Sequence, residues 1–140
     1  MTLLRFSHLG VAVRDMESAL ASYREIFGYR VLAGPFDDPV QKVRVCFVGS
    51  GRAGDIAVEL VVPLGEDSPV NRILAKGTGA YHTCFEADRL VEVLSFVRSR
   101  GCVIVSNPVP AVAFEGRRIA WFYTPTRQLV EVVERCAERT

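Results

Sequence analysis

Two histidines are all that this 140-residue chain contains: His8 in FSHLGVAV and His82 in AYHTCFEAD, 74 residues apart. Two glutamates repeat the relation. Glu59 in IAVELVV and Glu131 in LVEVVE stand 72 residues apart. Residues two apart on a strand share a face. Glu59 therefore sits among Ala57 and Val61, and Glu131 among Leu129 and Val133. His8 shares its face with Phe6, Gly10 and Ala12, and His82 with Ala80 and Cys84. All four polar groups interrupt apolar faces, where a carboxylate without a partner costs several kcal/mol. One divalent cation would satisfy them together, because two neutral imidazoles and two carboxylates balance its charge. Mixed N/O ligation suits Zn, Co, Ni, Mn or Fe(II) without choosing among them. Two ligands from each half would leave positions for water or substrate oxygens. A hydrogen-bonded core His or a solvated strand Glu is the plainer reading of any one residue. It does not account for both His, and one Glu per half, falling at equivalent points.

The elements that must position these residues also recur. A strand over Leu4 to Val13 is followed by Asp15, which can cap a helix with Met16, Ala19, Leu20, Tyr23, Ile26 and Phe27 on its apolar side. Gly28 suits a left-handed stop. Strands are predicted over Tyr29 to Ala33, Val43 to Val48 and Ile56 to Pro63, with Gly49, Gly51 and Gly54 in the turn between the last two. A second round has a strand over Ala80 to Glu86, Asp88 as cap, and a helix with Leu90, Val93, Leu94 and Val97. Gly101 and strands over Val103 to Ser106, Arg117 to Tyr123 and Leu129 to Val133 complete it. Asp15 to Asp88 and Gly28 to Gly101 are both offset by 73. The repeat is too long and occurs too few times for a solenoid. It predicts an α+β chain of two tandem βαβββ modules in a single domain over 1–140. Module one spans 1–64 and module two 79–140. A three-turn connector helix over 68–76 joins them, capped by Ser68 with Pro69 in its first turn.

Composition bounds the function. A hydrophobic share of 49% with 24% charged residues reads as an ordinary soluble globular domain. Lys+Arg 17 against Asp+Glu 16, with no basic stripe, argues against nucleic acid as a partner. No apolar run approaches the ~20 residues of a membrane helix, and no signal-peptide layout is seen. Cys46, Cys84, Cys102 and Cys136 form no close pair and lie in apolar segments, which predicts reduced core thiols in a cytoplasmic protein. GSGRAG, residues 49–54, lies between two strands and reads as a hairpin turn, not a phosphate loop.

The stretches HLGVAVRDMESALASYREIFGYRV, VELVVPLGEDSPVNRIL, YHTCFEADRL and EGRRIAWFYTP with LVEVVE resemble the vicinal-oxygen-chelate superfamily of glyoxalases, bleomycin-resistance proteins and dioxygenases. Nearly the whole chain takes part, and within the superfamily the resemblance is closest to the methylmalonyl-CoA epimerases. PLGEDSP is its most specific stretch. The resemblance implies a glyoxalase-like fold in which the modules form a curled mixed sheet enclosing a cleft, with His8, Glu59, His82 and Glu131 as metal ligands. It also implies a homodimer and a small-molecule carbonyl or acyl thioester substrate. There are departures. The epimerases' second proton-transfer Glu falls at Val40, with Asp38 nearby. The HPK…GG run is replaced by TPTRQ, residues 124–128, and the His of AHGKR is Glu115.

The implied chemistry is proton movement alpha to a carbonyl through a metal-bound enolate, by an isomerase or epimerase. Glu131 is the candidate base, and Asp38 and Glu115 are candidates for a second acid/base. Arg117 and Arg118 are candidates for holding a carboxylate or phosphate, alternatively edge-strand charges. Trp121 is a candidate cleft wall. Cys84 is a candidate to approach the metal, alternatively a structural thiol. The rival readings are a glyoxalase I-type lyase, a specialised natural-product (polyketide) pathway enzyme, and a metal-free antibiotic-binding resistance protein. An extradiol dioxygenase ranks below these, because a second Glu would occupy a position its substrates need.

Overall fold

The alternating stretch around His8 folds as a strand, β1 (Leu4–Ala12), in the computed structural model, which describes residues 4–135. By compactness these fall into two units, residues 8–81 and residues 4–7 with 82–135.

In the first unit Asp15 opens α1 (Met16–Phe27). Its carboxylate accepts a hydrogen bond from the Ser18 amide at 2.8 Å, which satisfies a donor that a helix start leaves over. Ser18 also holds the Asp15 carboxyl below its ordinary value. Gly28 closes the helix at φ 69°. Then come β2 (Arg30–Asp38), β3 (Val43–Gly49) and β4 (Ala57–Pro63), in the order β2-β3-β4-β1. The β2–β3 and β3–β4 pairs are antiparallel, and β4 runs parallel to His8–Ala12 of β1. β2 continues past the expected Ala33 because Gly34, at φ 95°, bends the strand and lets pairing resume at Phe36 with Val45. One face of this sheet is covered by α1, whose Met16 and Ala19 pack with Val11, Cys46, Val48, Leu60 and Val62. Alternation turns His8, Glu59, Phe47 and Val61 to the other face.

The connector helix is α2 (Val70–Ala75). The hydroxyl of buried Ser68 accepts from the Val70 amide at 3.3 Å, and Pro69 stands at the helix entry. The helix is shorter than the three turns expected, because Gly77 and Gly79, at φ 121° and 132°, take the chain out of helical geometry.

β5 (Gly79–Ala87) carries the second histidine, and α3 (Leu90–Ser99) follows. Next are β6 (Val103–Ile104), β7 (Val109–Pro110), a 3-10 turn at Val112–Phe114, β8 (Arg118–Tyr123) and β9 (Leu129–Glu134). The order is β5-β9-β8-β6, with β7 beside β8. β5 and β9 are parallel, and β8 is antiparallel to β9. Leu90, Val93, Leu94 and Val97 of α3 cover one face, against Ala120, Phe122, Val130 and Val132. Leu4 packs on this cluster, and Phe6 meets Phe85 edge-on at 5.2 Å.

The first unit is βαβββ, and the second follows the same order with the strand after its helix divided between the short β6 and β7, both paired with β8. Asp88 does not cap α3. The helix starts at Leu90, so Asp88 stands one position too early, and its carboxylate accepts from Arg135 at 3.0 Å. The expected strand over Val103 to Ser106 is reduced to β6, and β7 takes up the Pro-rich segment beyond it. Cys46, Cys84 and Cys102 are thiols, the first two fully buried. Burial raises the Cys46 and Cys102 thiols above their ordinary value. Cys136 lies outside the described residues. Among the described residues, no helix is long and apolar enough to cross a membrane.

These cores predict where truncation is felt. Leu60→Ala and Leu90→Ala should each lose about 2–5 kcal/mol in urea unfolding. Val91→Ala, at an exposed position on α3, should stay within about 0.5 kcal/mol. A neutral result at either leucine would contradict the packing described.

Candidate functional site

The first histidine–glutamate couple is set by the parallel pairing of β1 with β4. His8 stands opposite Ala57, and Gly10 opposite Glu59, so His8 and Glu59 are diagonal neighbours on one face. His8 Nε2 lies 3.6 Å from Glu59 Oε1, with the two residues only 2% and 4% exposed. Phe47 is the β3 partner of Glu59. Its ring meets His8 edge-on, with centroids 5.1 Å apart and planes at 81°.

The second unit repeats this arrangement. The β5–β9 pairing places Cys84 opposite Glu131. His82 Nε2 is 3.7 Å from Glu131 Oε1, and each residue is 3% exposed. Trp121 is the β8 partner of Glu131. Its ring meets His82 at 4.8 Å and 81°. The Trp121 amide donates to the Ser106 hydroxyl at 3.0 Å. Each half-site is therefore a trio of His, Glu and aromatic ring. Phe47 is the member the sequence reading missed. Its signal was available: Phe47 and Trp121 are offset by the same 74 residues as the two histidines.

The separations bear on what the couples can hold. Charge-assisted hydrogen bonds close to about 2.7–2.9 Å, so 3.6 and 3.7 Å are too long for that. Two ligand atoms each about 2.1 Å from a Zn-like cation stand roughly 3–3.6 Å apart. In both couples a buried imidazole nitrogen faces a buried carboxylate oxygen at that kind of spacing. This donor set fits a divalent metal of borderline hardness.

Residues 7–121 match the family model described as the Glyoxalase/Bleomycin resistance protein/Dioxygenase superfamily. The chain belongs to that superfamily. One member similar to it is the ethylmalonyl-CoA/methylmalonyl-CoA epimerase of Cereibacter sphaeroides, 30% identical over 121 residues, which cover 85% of this chain and 87% of that one. A hypothetical protein from Bacillus halodurans C-125 superposes with a TM-score of 0.84 at 25% identity over 99% of both chains. A variant of the Streptomyces coelicolor methylmalonyl-CoA epimerase, in complex with 2-nitronate-propionyl-CoA, gives 0.80 at 26% identity. It covers 97% of this chain and 100% of that one. The fold class is the α+β glyoxalase-like one of this superfamily.

The remaining candidates stand away from the two trios. Asp38 ends β2, buried, and its Oδ1 accepts from the Val40 and Gln41 amides at 3.0 Å each. It pairs with Val43, whereas Glu59 pairs with Phe47. Four residues along β3 amount to roughly 13 Å. Val40 is an exposed residue of the same turn. Glu115 is exposed and left-handed, at φ 56°, just after the 3-10 turn. Arg118 is bound on both sides of its fork by the Glu134 carboxylate, at 2.9 and 2.7 Å. That hydrogen-bonded pair holds the Glu134 carboxyl below its ordinary value. Arg117 donates to the carbonyls of Phe114 and Glu134 at 3.2 and 3.4 Å and lies over the Phe114 ring. The structure thus joins His8 with Glu59, and His82 with Glu131 and Trp121. Asp38, Glu115, Arg117 and Arg118 lie outside those rows.

Asp38 is open to a direct test. An amide oxygen can replace its carboxylate in the turn, so Asp38→Asn should keep stability and turnover. Asp38→Ala should lose about 1.5–3 kcal/mol in urea unfolding. An Asn variant of unchanged stability with turnover abolished would make Asp38 an acid/base group instead.

Proposed function

We propose that this chain is a divalent-metal-dependent epimerase that moves the proton alpha to the carbonyl of an acyl-CoA thioester, with methylmalonyl-CoA the first substrate to test. The observation that carries the reading is the buried His–Glu couple built twice, at repeat-equivalent positions and with matching separations. The names of the Cereibacter and Streptomyces relatives support the substrate class.

In this reading His8, Glu59, His82 and Glu131 are ligands of a single cation. Held by these four residues, a doubly charged ion would balance both buried carboxylates. When bound, such an ion supplies Lewis-acid polarisation of the substrate carbonyl and stabilises the charge that develops as the proton leaves. The rest falls to the chain. Glu131 takes the alpha proton on a carboxylate oxygen. Inversion needs a second carboxylate to return it, and Glu59 has the same burial and the same imidazole partner. Asp38 is committed to its turn, and Glu115 is exposed. Phe47 and Trp121 keep water from the imidazoles. Arg118 is neutralised by Glu134, whereas Arg117 spends its bonds on backbone carbonyls and keeps its charge for a substrate carboxylate or phosphate. The enzyme is taken to be a cytoplasmic homodimer.

The metal assignment predicts a stoichiometry. Protein loaded with Co, Mn or Zn should retain about one ion per chain by elemental analysis. Co(II) should quench the emission of Trp121, the chain's single tryptophan. His8→Ala and His82→Ala should each abolish retention. Two ions per chain would mean the couples act separately, and none would leave the metal-free binding protein as the better reading.

The reaction predicts isotope exchange. In D₂O the loaded protein should exchange the alpha proton of methylmalonyl-CoA, followed by NMR, and a chelator should stop it. Glu131→Gln should still bind metal but exchange about 10²–10⁴-fold more slowly. Full exchange in that variant would remove Glu131 as base. Turnover of a glutathione hemithioacetal in place of the thioester would favour the lyase.

A further inference from the structure

We propose that Phe47 and Trp121 are positioning residues that lock the ring planes of His8 and His82 for cation binding, an inference that rests on the metal-centre reading above. A ligating imidazole must present one chosen nitrogen, and rotation about its Cβ–Cγ bond by half a turn would put Cε1 where Nε2 stands and Cδ2 where Nδ1 stands. That rotation sweeps the ring through the space beside it. In each half-site an aromatic ring occupies this space at nearly the same angle, 81° in both, with centroids 5.1 and 4.8 Å from the imidazole. Each aromatic residue is also the cross-strand partner of the couple's own glutamate, Phe47 of Glu59 and Trp121 of Glu131. One residue thus flanks both donors of its half-site and ties the imidazole plane to the strand that faces the carboxylate. At Trp121 that strand is itself held, through the hydrogen bond its amide donates to the Ser106 hydroxyl. Partners that orient a ligand His are typically worth 10–100-fold in metal affinity.

The test compares Phe47→Leu and Trp121→Leu with the conservative Phe47→Tyr and Trp121→Phe. Co(II) affinity is measured by chelator competition and coordination by the visible absorption of the Co(II) protein, with the melting temperature of the metal-free protein alongside. The leucine variants should bind Co(II) at least tenfold more weakly with altered absorption bands. The aromatic variants should stay within about threefold of the parent with its bands preserved. If a leucine variant does not fold, methionine at the same position replaces it under the same expectations. Parental affinity and bands in the leucine variants would overturn this inference and leave the metal centre standing. So would weakened binding that the aromatic variants share. A parent protein that takes up no Co(II) would overturn both.

Discussion

Moving a carboxylate out of water costs several kcal/mol unless donors or a cation replace the lost hydration, and this chain makes that move at Glu59 and again at Glu131. Its other sheltered carboxylates show two ways of meeting the cost. Asp38 takes two backbone amides at 3.0 Å, and Glu134 takes both arms of a guanidinium at 2.9 and 2.7 Å. Both are closed arrangements, with the acceptor in hydrogen-bond contact with its donor. At Glu59 and Glu131 the facing imidazole nitrogen is instead held at 3.6 and 3.7 Å. In both couples a buried imidazole nitrogen faces a buried carboxylate oxygen, and the two separations nearly match. That repeated spacing is the feature on which the proposed metal reading rests.

The spacing of the couples depends on register, and register depends on the helices. A slip of one residue would turn every side chain of a strand to the opposite face, sending His8 or His82 into a hydrophobic cluster. The slip is resisted from the far side of each sheet. Val11, Leu60 and Val62 are committed to α1, and Val130, Val132 and Ala120 to α3. These residues occupy the alternate positions of the strands that carry the couples. The apolar cores therefore fix the register, and the couples follow from it through the parallel β1–β4 and β5–β9 pairings. The equivalent registers of these pairings make His and Glu diagonal neighbours and give both units the same geometry.

Much of this was legible in the sequence because duplication supplies an internal comparison. The offsets of 74 and 72 singled out His8, His82, Glu59 and Glu131, and strand alternation placed each on an apolar face. What escaped is what an offset alone does not carry. Phe47 looked like ordinary core until its ring was seen against His8. Asp88 kept its offset from Asp15, but α3 begins one residue later in the repeat than α1, and a cap depends on that single residue. Whether Arg118 faces a ligand or a carboxylate was undecidable without its cross-strand neighbour, because Glu134 is sixteen residues away in the chain and adjacent only through the β8–β9 register. Strand period and helix period are local signals; cross-strand partners are not.

The two trios also differ, and the differences fall at definite places. The histidine and the glutamate recur in both halves. Their neighbours do not: Gly10 stands opposite Glu59 where Cys84 stands opposite Glu131, and Phe47 answers to Trp121. Charge constrains the His and Glu positions, since changing a buried His or Glu leaves the other member without its counterpart. The flanking positions carry no charge, so duplication leaves them more room to diverge. One half-site has a bare backbone beside its carboxylate, and the other has a thiol and the larger ring. The duplicated module has thus kept its charged residues and altered the neutral ones beside them.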